Sequence, residues 1–162
     1  MTRPESKPKL STPDAGELVI GVVSARWNAD IVDRLRAGAN AVAVAAGATT
    51  LDVTAPGAFE LPYAARVLAV SGTVDAVVVL GAVIRGETTH YELVSEGCAA
   101  GVMSVQLETA VPIGFGVVTV EHHEQAMARS GREHNVGADA MRAAIEMAVL
   151  ARDTPRPPSA RP

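Results

Sequence analysis

Residues 86–90 combine a glycine turn, two threonines and a histidine, and they follow a run rich in β-branched residues at 77–84. Such a run predicts a strand buried on both faces. Thr89 and Glu92 have the spacing of a capping box, which predicts that a helix begins here. A glycine turn before a helix can bind an anion because the first N–H groups of a helix lack partners. His90 can transfer protons near neutral pH. The segment therefore predicts a phosphorylated substrate and acid–base chemistry.

This segment also has a plainer interpretation. Many α/β proteins contain strand–glycine–helix turns that bind no ligand, and a histidine near a helix start is often only a surface residue. The predicted chemistry therefore depends on whether other segments of the chain bring suitable residues to the same place.

Strands and helices alternate four times along the chain. We expect strands at 18–24, 50–54, 77–84 and 111–120, and helices at 29–46, 61–70, 89–108, 121–129 and 137–151. Asn28 can cap the first helix, and Gly47 is placed to end it. This alternation is typical of a parallel sheet with helices on both faces, in which ligands bind beyond the carboxyl ends of the strands.

Residues that can do chemistry follow the other three predicted strands as well. They are Arg26-Trp27-Asn28 after the first strand, Pro56-Gly57-Ala58-Phe59-Glu60 after the second, and Glu121 and Arg129 after the fourth. Three aromatic side chains, Trp27, Phe59 and Phe115, are expected on or beside this edge of the sheet. We therefore predict an aromatic slot for a flat ring, with polar groups and a phosphate site around it.

Each of these residues also has a purely structural interpretation. Trp27 can cover the core, and Glu60 can simply favour the N-terminus of the helix behind it. Arg129 near a helix C-terminus can complete the last carbonyls, and Phe115 between two glycines can be ordinary packing. The site is predicted from the convergence of these residues on one sheet edge, since each signal is weak when taken singly.

Other familiar sites are absent from the sequence. There is no GxGxxG after the first strand and no P-loop, which argues against dinucleotide and nucleoside triphosphate binding. His122 and His123 are adjacent, so their side chains diverge, and no Cys, His or Asp spacing predicts a metal. Cys98 falls inside a predicted helix without a neighbouring base, which indicates packing rather than nucleophilic catalysis.

Composition limits the class of protein further. The chain has 162 residues, of which 48% are hydrophobic and 20% charged, enough for one domain with an aliphatic core. Its net charge of −4 and its lack of Lys/Arg clusters argue against nucleic-acid binding. One cysteine, no signal peptide and no apolar run of transmembrane length predict a cytoplasmic protein without a membrane partner. We expect a flexible arm at 1–16, one domain at 17–152 and a disordered tail at 153–162.

Five segments carry a further signal: 26–28 (RWN), 56–62 (PGAFELP), 80–91 (LGAVIRGETTHY), 111–117 (VPIGFGV) and 124–129 (EQAMAR). Together they resemble the lumazine synthases, the 6,7-dimethyl-8-ribityllumazine synthase family. The resemblance covers about residues 18–150, nearly the whole predicted domain. It implies a flavodoxin-like α/β fold, a three-layer αβα sandwich with a four-stranded parallel sheet.

The resemblance also implies an activity. It points to a transferase of riboflavin biosynthesis that condenses 5-amino-6-(D-ribitylamino)uracil with 3,4-dihydroxy-2-butanone 4-phosphate. In that reaction the amine forms an imine with the ketone, phosphate is eliminated, and the ring closes with loss of water. The family implies no cofactor and no metal, and a homopentamer whose active sites lie at subunit interfaces.

Roles for residues of this chain follow from the resemblance. His90 would be the proton donor. The ring and ribityl chain of the substrate would lie against Trp27, Ala58, Phe59, Glu60, Ala82, Val83 and Ile84. Phosphate would be bound by Gly86, Glu87, Thr88 and Arg129, and Phe115 would also contact the substrate, with Phe115 and Arg129 supplied by a neighbouring subunit. Because a carboxylate repels phosphate, we expect Glu87 to bind through its N–H with its side chain turned away.

The chain departs from the family pattern at Val136, where many members carry a lysine near the phosphate. Arg132 and His134 are the candidates to replace that lysine. The departure bears on the affinity for phosphate and on the assembly, for which we expect pentamers without a complete shell.

Two other functions remain open from the sequence. One is a non-catalytic relative that binds lumazine or flavin, or that mainly forms a shell. The other is an FMN-binding electron carrier, against which the lack of a Ser/Thr-rich loop after the first strand counts. The presence of His90 and Arg129 favours the enzyme.

Overall fold

The computed structural model describes residues 12–155, which form a four-stranded sheet with helices on both faces. The strands are β1 (Val19–Ala25), β2 (Thr49–Ala55), β3 (Ala76–Ile84) and β4 (Ile113–Val120). The helices are α1 (Ala29–Ala46), α2 (Leu61–Val70), α3 (His90–Thr109), α4 (His123–Arg129) and α5 (Val136–Asp153), and a 3-10 turn covers Ala58–Glu60. All strand pairs are parallel, in the order β2-β1-β3-β4. The predicted flavodoxin-like αβα sandwich is confirmed.

The sheet buries apolar side chains on both faces, because successive strand residues point to opposite sides. Ile20 and Val22 of β1 pack in the layer formed with α1 and α5. Val23, whose side chain points to the opposite face of the strand, packs in the layer formed with α2 and α3. Burial of an aliphatic side chain of this size contributes about 1.5–3 kcal/mol, so both layers stabilise the strand ends that carry the site.

Helix α5 approaches its neighbours closely at two glycines. A Cβ at Gly114 of β4 would collide with the carbonyl oxygen of Ala140, and a Cβ at Gly137 with that of Leu35 in α1. The Ala- and Gly-rich composition of these helices therefore sets the short distance between α5, α1 and the sheet.

Most predicted boundaries agree with the structure. Helix α2 covers the predicted 61–70, and α1 ends at Ala46 with Gly47 at a φ of 80°, which a residue without Cβ adopts readily. Strand β4 begins at Ile113 rather than at 111, because Pro112 has no N–H to donate to a neighbouring strand.

Helix α4 begins at His123 rather than at the predicted 121. The N–H groups of Glu121 and His122 both donate to Oε1 of Gln125, at 2.8 and 3.2 Å. These bonds turn the chain ahead of the helix, so the helix starts two residues later.

Two predicted helix caps are wrong. Thr89 stands at the N-cap of α3 but makes no side-chain capping bond, and Glu92 binds Arg85 instead of the helix end. Asn28 stands at the N-cap of α1 with a φ of 57°, and its side chain donates to the carbonyl oxygen of Ala82 at 2.9 Å. In both cases a side chain expected to cap a helix binds another group instead: Glu92 binds Arg85, and Asn28 binds the backbone of Ala82.

The described part of the predicted arm lies against the domain. Ala15 is fully buried, and its N–H donates to the carbonyl oxygen of Ala46 at 2.8 Å. The rest of the arm (1–11) and residues 156–162 of the predicted tail lie outside the described residues, and the domain boundaries stay predictions. Between residues 12 and 155, no helix has the length and apolar character that crossing a bilayer requires.

Candidate active site

A cleft of about 690 Å³ opens at the carboxyl edge of the sheet. The ends of β1 and β3, the 3-10 turn after β2 and the first turn of α3 enclose it. Most of the predicted site residues line this cleft: Trp27, Ala58, Phe59, Glu60, Ala82, Val83, Ile84, Gly86, Thr88 and His90. Three of the four predicted strand ends therefore meet at this cleft, whereas Glu121 and Arg129, which follow the fourth strand, do not line it.

Three aromatic residues line the cleft, Trp27, Phe59 and Tyr91, and the rings of the first two are exposed to solvent. Trp27 is 74% exposed and Phe59 is 61% exposed, so neither ring covers the core. Glycines lie under both rings: a Cβ at Gly57 would lie 3.3 Å from Cδ1 of Trp27, and a Cβ at Gly97 would lie 3.0 Å from Cε2 of Phe59. The exposed rings can contact a flat apolar ligand, which agrees with the predicted slot.

The last residues of β3 leave backbone groups at the cleft. Pairing of β3 with β1 stops at Leu80, whereas pairing with β4 continues to Ile84. Beyond Leu80 the β1-facing edge of β3 therefore has no strand neighbour, and the side chain of Asn28 donates to the Ala82 carbonyl there. Free backbone donors and acceptors at a strand edge can recognise the polar edge of a heterocycle.

His90 is the first residue of α3 and lines the cleft beside Gly86 and Thr88. Its N–H lies 3.4 Å from Oγ1 of Thr88, and no side chain caps the helix at Thr89. A helix N-terminus without a cap carries a partial positive charge and free donors, which favour an anion. The imidazole therefore lies in the same turn as backbone donors that could bind an anion.

Arg85, to which we assigned no role from the sequence, directly follows β3 and forms two ion pairs beside this turn. Its guanidinium binds Glu92 and lies 2.7 Å through Nε from Oε2 of Glu121. Hydrogen bonding to Arg85 lowers the pKa of Glu92, and the two carboxylates raise the pKa of Arg85. The Arg85-to-Glu92 spacing across a strand–helix turn was the signal available in the sequence.

The sequence of the chain is similar to that of a known protein family. A sequence model of 6,7-dimethyl-8-ribityllumazine synthase matches residues 17–152. The chain belongs to this family.

Curated relatives named 6,7-dimethyl-8-ribityllumazine synthase match along nearly their whole length. The relative from Deinococcus deserti is 44% identical over 146 residues, which are 88% of this chain and 94% of the relative. That from Corynebacterium glutamicum is 45% identical over 149 residues, 90% of this chain and 92% of the relative. That from Methylobacterium radiotolerans is 45% identical over 152 residues, 93% of each. The predicted membership of the lumazine synthase family is confirmed.

Phe115, Arg129 and Glu87 do not line the cleft of their own chain. Phe115 stands third in β4, opposite Val79 and five residues before the strand ends, so the expectation that it lies at the carboxyl edge is wrong. Arg129 ends α4 and donates to the carbonyl oxygen of Gln125 at 3.1 Å, its plainer role. Glu87 is exposed, and whether its N–H meets a ligand stays a prediction.

Cys98 is fully buried, and burial raises the pKa of its thiol to about 11. A thiol in that state is a poor nucleophile, which agrees with a packing role. His122 stands at the N-cap of α4, whereas the side chain of His123 lies 2.7 Å from Asp30 of α1. Hydrogen bonding to His123 lowers the pKa of Asp30.

No group of three or more His, Cys, Asp or Glu between residues 12 and 155 could hold a metal ion.

Val136 is the first residue of α5, where it packs partly buried against the core. Asn135 caps this helix by accepting from the N–H of Ala138 at 3.0 Å, and its Nδ2 donates to the carbonyl oxygen of Arg34. Arg132 is exposed on the loop ahead of this cap. The loop is thus anchored to α1 by Asn135 without a lysine at 136.

Five other residues line the cleft. Asn28 and Gly57 belong to segments that we expected at this edge, although we gave them no role in the site, and we did not expect Tyr91, Leu93 and Val94 there. The last three follow His90 in α3, and the helical period would have placed Leu93 and Val94 on the His90 side of the helix.

Proposed function

We propose that the protein catalyses the formation of 6,7-dimethyl-8-ribityllumazine from 5-amino-6-(D-ribitylamino)uracil and 3,4-dihydroxy-2-butanone 4-phosphate, as a transferase of riboflavin biosynthesis. Membership of the family supports this reaction. The observation that carries it is the position of His90, at an uncapped helix N-terminus and in the same cleft as two exposed aromatic rings.

The pyrimidine fits the aromatic side of the cleft. Its ring would lie against Trp27, and its polar edge would meet the unpaired backbone edge at 82–84. Ala58, Phe59 and Glu60 would contact the ribityl chain, where the Glu60 carboxylate can accept hydrogen bonds from hydroxyl groups. Holding two substrates in register lowers the entropic part of the barrier.

The phosphate of the second substrate fits the turn before α3. Gly86 presents backbone without a side chain, and among the described residues no atom other than those of Gly86 and its chain neighbours lies within 4 Å of the place where its Cβ would stand. Thr88 supplies a hydroxyl, and the N–H groups of Glu87 and of the helix start supply further donors. Phosphate is also the leaving group, so these donors stabilise charge where it develops.

His90 would move the protons of the reaction. Imine formation adds the amine nitrogen to the ketone carbon and expels the oxygen as water, which requires a proton on that oxygen. Elimination then removes a proton from carbon and breaks the C–O bond to phosphate. The enol left by this elimination tautomerises to a ketone at the carbon that carried the free hydroxyl group. Ring closure joins the second amine to this new carbonyl and releases a second water. An imidazole beside the reacting atoms can give and take each proton in turn.

Assembly would complete the site. Helix α3 buries only Cys98, Val102 and Val105, while Leu93, Met103 and Leu107 are exposed on it. An exposed apolar surface of this kind supports an interface between subunits. We therefore propose a homopentamer in which Phe115 and Arg129 reach the cleft of the adjacent subunit, since a head-to-tail contact closes into a ring when the rotation permits.

The size of the assembly and the cellular compartment are also part of this proposal. The loop before α5, held to α1 by Asn135 and with Val136 in place of lysine, supports pentamers without a complete shell. The cytoplasm is the proposed compartment, because a chain with one cysteine needs no oxidising environment.

The activity is tested by mixing the purified protein with both substrates and following lumazine fluorescence and phosphate release together. The two signals should rise in parallel and well above the rate in buffer, and a chelator should leave them unchanged. Reactions that lack either substrate are the controls. A rate equal to that in buffer, with product bound but not formed, would identify a non-catalytic lumazine-binding relative.

A further inference from the structure

A cluster of charged side chains closes the turn that leads into α3, and none of the proposed chemical steps uses it. Arg85 ends this cluster on the strand side, where its N–H donates to the carbonyl oxygen of Val120 at 2.9 Å. Its guanidinium binds Glu92 through Nη1 and Oε2 of Glu121 through Nε at 2.7 Å. Its Cζ lies 4.3 Å from the centre of the Tyr91 ring, within range for a cation–π contact.

These contacts connect three elements around His90. Glu92 and Tyr91 belong to the first turn of α3, whereas Glu121 follows β4. Neither end of the turn at 86–89 is otherwise held by a strong side-chain contact: Thr89 makes no cap, and the bond from the His90 N–H to Thr88 is long at 3.4 Å. The guanidinium therefore ties the helix start to the ends of β3 and β4.

We propose that Arg85 is the positioning residue for His90 and for the phosphate-binding turn. Arg85 does not line the cleft, whereas His90 and Tyr91 do, so it acts through them rather than on the substrate. A planar guanidinium can serve two carboxylates and stack on a ring at once, and a lysine ammonium cannot. For its kinetic consequences this inference rests on the proposed function.

The kinetic arm compares Arg85→Met and Arg85→Lys with wild type, with Arg36→Met as the matched control. Arg36 also forms an ion pair, 3.0 Å from Asp33, but on the exposed face of α1. Because misplacement of about 1 Å can cost roughly 100-fold in rate, we expect kcat/KM for the butanone phosphate to fall by up to about that factor in Arg85→Met. The KM for the aminouracil should stay unchanged, and Arg85→Lys should restore little.

A second background separates positioning from a general structural effect. In His90→Ala, the group that Arg85 positions is gone, so Arg85→Met should lower kcat no further and should raise only the KM for the butanone phosphate. An equal fall in kcat with and without His90, or full rescue by Arg85→Lys, would overturn the proposal.

Hydrogen exchange tests the same proposal without activity. In the assembled protein, amides 86–92 should exchange faster in Arg85→Met and at the wild-type rate in Arg36→Met. Glu121→Gln removes only one of the two ion pairs of Arg85 and should increase the exchange rate of these amides less. This variant replaces Arg85→Met in the test if Arg85→Met does not fold. Unchanged exchange at 86–92 would overturn the proposal. If wild type produced no lumazine, the proposed function would fail while the exchange result still decided the role of Arg85.

Discussion

The ring of Phe59 rests on Gly97 of α3, with its Cε2 atom 3.0 Å from the place where a Cβ would stand. Phe59 is 61% exposed and lines the cleft. The absence of a side chain at 97 therefore sets how deep the ring lies, and a methyl group would push it by a few tenths of an ångström.

Gly97→Ala should raise the KM for the aminouracil several-fold while leaving kcat close to wild type. Stability should not fall, because the exposed ring can move away and alanine favours a helix by about 1 kcal/mol over glycine. Steady-state kinetics with each substrate varied in turn, together with thermal unfolding, measure both effects.

Gly101→Ala is the matched control for this substitution. A Cβ there would lie 2.8 Å from Cβ and Cγ of Pro62, whose ring cannot move aside. We expect lower stability with an unchanged KM for the aminouracil. The same rise in KM in both variants would show that the effect does not pass through Phe59.

Local patterns in the sequence predicted the elements that carry the site. The β-branched run at 77–84 became β3, Gly47 ended α1, and the residues behind three strands met in one cleft. These features depend on short-range sterics and on the rule that parallel strands end at one edge. They could be derived without knowledge of the fold.

Contacts between distant residues could not be derived in this way. Asn28 does not cap α1 with its side chain, because that side chain donates to the carbonyl oxygen of Ala82, 54 residues further along the chain. The height of Phe115 in the sheet depends on the register of β4 against β3, which pairs it with Val79. Periodicity predicts which face a residue occupies but not which partner it meets.

His90→Ala should lower the catalysed rate by roughly 100-fold or less, within the range of general acid–base contributions. The two substrates react with each other without help, so positioning by the cleft should retain part of the acceleration. His122→Ala is the control, because His122 is an exposed histidine at the start of α4 that does not line the cleft. Identical pH–rate profiles for wild type and His90→Ala would remove His90 from the mechanism.

Cys98→Ser should leave turnover unchanged and lower the stability. The buried thiol, with its pKa raised to about 11, is a poor nucleophile, whereas a serine hydroxyl in its place would put a polar group into an apolar layer at a cost of about 1–3 kcal/mol. Unfolding in urea measures the cost. Rapid stoichiometric inactivation of the folded protein by a thiol reagent would contradict this assignment.

The Asp30–His123 pair should make stability depend on pH in acid. Hydrogen bonding to His123 lowers the pKa of Asp30 below its ordinary 3.8. A carboxyl with a depressed folded-state pKa stabilises the fold above its unfolded-state value, and this contribution is lost as the pH falls through the folded-state value.

Unfolding midpoints of wild type and Asp30→Asn, measured in steps from neutral pH into acid, test this sign. Wild type should be the more stable protein above the ordinary value of 3.8, and the difference should shrink below it. A difference that stayed constant with pH would mean that the carboxylate charge is not responsible.

The central claim is that each active site takes His90 from one subunit and Arg129 from the next. Arg129→Ala should weaken use of the phosphorylated substrate by roughly 10- to 150-fold, because a hydrogen bond to a charged group contributes about 1.5–3 kcal/mol. A ring built only from His90→Ala subunits would then lack the histidine at every site. A ring built only from Arg129→Ala subunits would lack the arginine at every site.

Co-expression of the two variants with different affinity tags, followed by isolation of the mixed oligomers, tests this claim most directly. In a random mixed ring, about one site in four pairs an intact His90 with an intact Arg129 from the neighbour, so activity should recover to about a quarter of wild type. Mixed oligomers that remain as impaired as the single variants, or a fully active wild-type monomer, would contradict the shared site.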